Sequence, residues 1–215
     1  MLLILLVTGM YAKGMKWKEL KSLNAYQSKA YHLQEGVDYL EVREYIWETP
    51  NEVDKNNYTV VMSAYKTSLK SFEPKKVKRF KSLAPNFNKE ANIRKIGNCL
   101  MSGCIFRCTN GFMIDTEKKI WRMNEISDVI KYLGNIDTPA ELKLVLWLNQ
   151  EAHDKDKYRK TDNGYTVISE YENDINNFGE CGYFVYRLNI SKKGKITEKK
   201  LLKKIASKYG CITAD

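Results

Sequence analysis

Residues 137–150, DTPAELKLVLWLNQ, constrain the fold more than any other stretch of this chain. Thr138 stands at an N-cap, Pro139 at the first helical position and Glu141 at the third. That is a capping box, with proline where its missing N–H costs nothing. Leu142, Val145, Leu146 and Trp147 follow, so the helix should be mostly buried. A second helix is expected in NEISDVIKYLGN. Asn124 can cap it, Ile126, Val129, Ile130 and Leu133 form an apolar stripe, and Gly134 suits the position past its end. Residues 16–34 carry Trp17, Leu20, Leu23, Tyr26 and Ala30 at spacings that suggest a third helix, short and amphipathic.

The remaining patterned segments read as strands. VDYLEVREYIWE (37–48) and NNYTVVMSAYKTSLKSF (56–72) are rich in Val, Tyr, Ile and Thr and flank the turn-like TPNEVDKNN. VKRFKSLAPNFN (77–88) alternates weakly and should be a strand that ends near Pro85. GFMIDTEKKIWRM (111–123) has the pattern of a hairpin around Asp115–Lys119. EAHDKDKYRKTDNG reads as a polar loop that closes on Asn163-Gly164, a type I′ turn signal, before the strand YTVISEYE (165–172). CGYFVYRLNI (181–190) and KITEKKLLKK (195–204) flank Ser191–Gly194 as a further hairpin. The expected fold class is α+β: antiparallel strands and hairpins with a few short helices, ending in a C-terminal β-meander. The 215 residues suffice for one substantial core or two small lobes. No fixed-period repeat or Gly- or Pro-rich linker divides them, so residues 15–215 are expected to form a single domain, with the charged stretch 151–157 as its only seam.

The opening MLLILLVTGMYAKGMKW carries no charge from Leu2 to Ala12. A bilayer span needs about 20 apolar residues, so this run is too short to cross one. It has the length of a signal-peptide apolar region, with Gly9, Ala12 and Gly14 as small residues near its end, though the usual positive start is missing. Residues 1–14 are therefore expected to be a signal-peptide remnant or a hydrophobic N-terminal segment, and the protein to be periplasmic or secreted. The alternative is a buried first strand of a cytoplasmic protein.

Export bears on the five cysteines, Cys99, Cys104, Cys108, Cys181 and Cys211. Three fall within GNCLMSGCIFRC, but the spacing matches neither the paired knuckles of zinc sites nor the runs that hold iron–sulfur clusters, so no metal is expected. In an oxidising compartment thiols pair. One bridge is expected inside 99–108, with Cys181–Cys211 as a second, worth about 3–4 kcal/mol in the chain-entropy model. A catalytic thiol needs a base, and the chain offers only His32 and His153. No nucleophile motif surrounds any cysteine, and no G-x-G-x-x-G, P-loop, H-E-x-x-H or G-x-S-x-G occurs. The acidic pairs Glu41/Glu44, Asp154/Asp156 and Glu170/Glu172 suit acid–base work or a cation, but equally the polar face of a half-buried strand.

The net charge of +10 raises nucleic acid as a partner. Only Arg43, Arg79, Arg94, Arg107, Arg122, Arg159 and Arg187 among the 36 basic residues are arginine, the residue of bidentate phosphate and base recognition. Phe72 and Phe80 are the only rings in the basic runs that could stack on bases. Both points weigh against nucleic acid. Fourteen tyrosines, several on expected strands, suit a recognition face as well as simple strand propensity. The expectation is an exported, disulfide-stabilised, non-catalytic protein without cofactor or membrane span, binding a protein or an anionic envelope component. The alternatives are a hydrolase or thiol enzyme assembled around His153 and a free cysteine, and a cytoplasmic basic protein that binds nucleic acid.

Overall fold

The chain is described by a computed structural model over residues 16–46, 58–83, 107–123, 125–173 and 182–206. In chain order its strands are Lys18–Glu19 (β1), Val37–Ile46 (β2), Tyr58–Tyr65 (β3), Arg107–Asp115 (β4), Ile120–Met123 (β5), Lys157–Thr161 (β6), Gly164–Asn173 (β7), Gly182–Ser191 (β8) and Ile196–Ala206 (β9). Its α-helices are Pro74–Lys81 (α1), Ile126–Leu133 (α2) and Pro139–Leu148 (α3). The strands form two antiparallel sheets, ordered β3-β2-β4-β5 and β1-β6-β7-β8-β9. Antiparallel sheets with three short helices make this an α+β protein, and neither sheet closes into a barrel.

The capping box at Thr138 forms as its residues dictate. Thr138 Oγ1 accepts from the Glu141 N–H, and Glu141 Oε2 accepts from the N–H groups of Asp137 and Thr138. α3 is buried nearly all round, with Leu142, Leu144, Val145, Leu146 and Leu148 in one core. That core also takes Leu40, Val42 and Met62 from the first sheet and Tyr165, Val167 and Leu188 from the second. Fully burying each such aliphatic side chain stabilises the fold by about 1.5–3 kcal/mol. β2 is a central strand buried on both faces. Leu40 and Val42 point to this core, while Tyr39 and Tyr45 enter a second cluster with Phe80 of α1 and Phe112 of β4.

Five local expectations are corrected. Residues 16–34 are not a helix: β1 is followed by two 3-10 turns, Leu23–Ala25 and Ser28–Ala30. The Leu20 N–H donates to Asp156 O and Ser22 Oγ to Asn24 Oδ1, so non-helical partners take these groups. Residues 74–81 are helix rather than strand, because Pro74 opens the helix and Val77 and Phe80, three apart, turn one face to the second cluster. β6 occupies part of the expected polar loop; Tyr158, its one buried residue, is flanked by charges that hide the strand pattern. Thr161 pairs with Gly164, so the turn residues are Asp162 and Asn163, not Asn163-Gly164. Gly164 has φ +146°, and a Cβ there would come within 2.0 Å of Ile190 O on β8, so this close strand contact demands glycine. Glu125 caps α2, while Asn124, residues 1–14 and the turn 49–57 lie outside the described residues.

Candidate binding site

α2 ends at Gly134, which has φ +80° and donates its N–H to Ile130 O, and the chain then turns toward α3. The β8–β9 turn packs over the same helix. Gly194 at its tip has φ +72°, and a Cβ there would stand 2.8 Å from Ile130 Cγ2, so glycine sets how closely turn and helix meet. Between them lies an open cleft of about 700 Å³. Its floor is Ile126, Ile130 and Ile196, all half-buried, and its rim carries Lys131, Lys193 and Lys195. No carboxylate lines it among the described residues. Along α2, Val129 and Leu133 are buried in the core, while Ile126 and Ile130 are half-buried, packing against that core and lining the cleft.

The expected site residues fall elsewhere. Cys108 is fully buried on β4 and accepts from Asn110 Nδ2 at 2.9 Å. Cys99, Cys104, Cys181 and Cys211 lie outside the described residues. His153 belongs to the second sheet's periphery. Its ring stacks on Tyr171 at 4.5 Å, and Tyr171 stacks in turn on Phe184 at 5.3 Å and Tyr186 at 5.9 Å. His153 and Tyr171 line a cavity of about 340 Å³ together with Asp154, Lys155, Glu170, Glu172 and Tyr183, and no cysteine stands among its described lining residues. Tyr183 donates to Glu170 Oε2 at 2.6 Å. His32 is exposed and its backbone N–H donates to Glu141 Oε1. Among the described residues no group of three His, Cys, Asp or Glu side chains can hold a metal ion. Phe72 and Phe80, the rings considered for base stacking, are both buried.

No family model, curated protein or solved structure matches this chain.

Burial pushes the His153 imidazole below its ordinary value, with Asp156 and Glu151 pulling the other way. The ring is therefore neutral at pH 7. A depressed value in the folded state means that the unfolded chain takes up the proton first as pH falls. Stability from this ring is complete above about pH 6.5, the unfolded value, and is lost as pH falls through the folded one. His153→Phe keeps a ring on Tyr171 and removes the titration. Urea midpoints near pH 7.5 and pH 5 should fall less for the variant than for the parent, and equal falls would exclude His153 as the cause.

The cleft lysines were not singled out by local pattern, although Lys193 and Lys195 sit in the basic run SKKGKITEKKLLKK.

Proposed function

We propose that this is an exported, disulfide-stabilised binding protein that performs no chemistry on its ligand and holds an amphiphilic anion in the cleft between α2 and the β8–β9 turn. The carrying observation is the cleft's composition: an isoleucine floor under three lysines, with no carboxylate in its described lining. Its volume falls within the usual range for small-ligand sites, and an apolar pocket with a few convergent polar groups is the usual form of such a site. An apolar body on the floor with an acidic head among the lysines satisfies both parts. An anionic envelope component with an acyl chain has that chemistry. Export is supported by the uncharged N-terminal run.

The test uses protein recovered from the extracytoplasmic fraction of its host, titrated with a fluorescent long-chain fatty acid. Saturable binding is expected, and Lys131→Glu with Lys193→Glu should weaken it by about tenfold, since each reversal sets a like charge against the head group. Equal affinity for the matching long-chain alcohol would overturn the anion reading. Recovery only from the cytoplasm would overturn export.

A further inference from the structure

β9 is the outer strand of the second sheet, 11 residues long, and among the described residues no strand pairs with its free side. Such an edge presents a row of unpaired backbone N–H and C=O groups. Exposed apolar side chains also concentrate on it. Of the large hydrophobic residues exposed among those described, Leu201, Leu202 and Ile205 all stand on β9, at 44%, 48% and 49% exposure.

The register with β8 sorts these side chains onto two faces. Residues directly opposite one another share a face, and successive residues along a strand alternate. Leu201 pairs with Tyr186, and Leu188, two residues along β8, is buried in the core, so Leu201 lies on the core side of the sheet. A bulge between the partners of Val185 and Tyr186 sets Leu202 beside it. Lys200 pairs with Arg187 and Lys203 with Val185, which places both lysines on the opposite face. Glu198 shares that face, but its carboxylate accepts from Arg187 Nη2 at 3.3 Å and from Asn189 Nδ2 at 2.5 Å. Among the described residues neither Lys200 nor Lys203 has a carboxylate partner. Lysines and bulges on an edge strand are the usual guards against pairing with another copy, and here the guard is specific. KKLLKK (199–204) reads the same in both directions. The antiparallel register that matches leucine with leucine therefore also sets Lys200 against Lys203 and Lys199 against Lys204, and like charges directly opposite are destabilising. A strand with carboxylates on one face and apolar side chains on the other meets no such penalty.

We propose that β9 docks an extended acidic segment of a partner protein as an added strand of the second sheet. The backbone edge supplies the hydrogen bonds, Lys200 and Lys203 select carboxylates on one face, and Leu201 and Leu202 take the alternate apolar side chains on the other. The period of two in charge and apolarity is that of a strand. The edge is independent of the α2 cleft and stands or falls without it.

The probe is a fluorescent synthetic peptide of about nine residues that alternates Glu with Val, followed by anisotropy at neutral pH. Saturable binding is expected, weakened about tenfold by Lys200→Glu with Lys203→Glu. Both side chains are exposed, so this variant should fold and melt as the parent does. The same peptide with two adjacent prolines keeps its charge but loses a donor from each of its edges, and should bind about tenfold more weakly. Bound peptide should slow amide exchange along β9. Equal binding of the proline peptide would reduce the contact to charge attraction and overturn strand addition. No binding up to about 1 mM would overturn it as well. A dimer that the peptide does not dissociate would give the edge to a second copy, and co-sedimentation with phosphatidylglycerol vesicles without peptide binding would give it to a lipid surface. Either result overturns the proposal.

Discussion

Asp156→Ala is expected to cost about 3–5 kcal/mol, because it leaves a buried ammonium without its counter-charge. Asp156 is fully buried. Its Oδ2 accepts from Lys143 Nζ at 2.8 Å and from the His153 N–H at 2.9 Å, and its Oδ1 accepts from Ser169 Oγ at 2.7 Å. Lys143 is 5% exposed on α3 and keeps only His153 O, at 2.6 Å, once the carboxylate is gone. One carboxylate thus joins the central helix, the approach to β6 and the middle of β7. The expected loss is a large share of the stability of an ordinary domain and should lower the melting temperature by roughly 10 °C. Lys143→Met with Asp156→Leu removes both charges and should cost much less, since a buried pair is often no more stabilising than apolar residues of like volume. Urea unfolding of the single and double variants decides it. A single-variant loss below about 1 kcal/mol would mean that water reaches Lys143 and that the pair is not buried as described.

What could be read from the sequence was local. The capping box at Thr138, the end of α2 at Gly134 and the hairpins around Asp115–Lys119 and Ser191–Gly194 are set by a few adjacent residues, and each appears where its residues call for it. The misreadings are tertiary in origin. Residues 77–81 alternate like a strand, but burial of Phe80 and the Pro74 start select a helix. Leu20, Leu23, Tyr26 and Ala30 look like a helical stripe, yet they reach the core from a chain that runs extended beside β6 and then through 3-10 turns. Lys157–Thr161 hides a strand because only Tyr158 is buried. The charged stretch 151–157 gave no hint that Asp156 is among the most buried residues, since its partners Lys143 and Ser169 are each 13 positions away. The candidate cleft shares that origin. Lys131 meets Lys193 and Lys195 only through packing between distant segments.

Arg43→Leu should be equally damaging, and its damage should concentrate on α1. Arg43 is fully buried at the centre of β2. Its Nε pairs with Glu41, its Nη2 donates to Phe80 O at 3.1 Å, and its Nη1 donates to Leu83 O and Tyr45 Oη, each at 3.3 Å. The guanidinium also lies 4.4 Å from the Tyr58 ring centre and 4.7 Å from those of Phe80 and Phe112. It therefore satisfies carbonyls at and just beyond the end of α1 while the rings hold its plane. Leucine fills part of the space but strips those carbonyls of a donor and leaves Glu41 with the Tyr39 hydroxyl. A buried carboxylate robbed of its cation again implies a loss of about 3–5 kcal/mol. Arg43→Lys should recover little, because a single ammonium cannot reach Glu41 and both carbonyls together or stack as a plane. Amide hydrogen exchange separates this from a general loss of stability. The α1 amides should exchange faster in Arg43→Leu than in Asp156→Ala at matched global stability, since only the first removes the anchor of that helix. Equal α1 protection in the two variants would show that the helix is held by Phe80 packing alone.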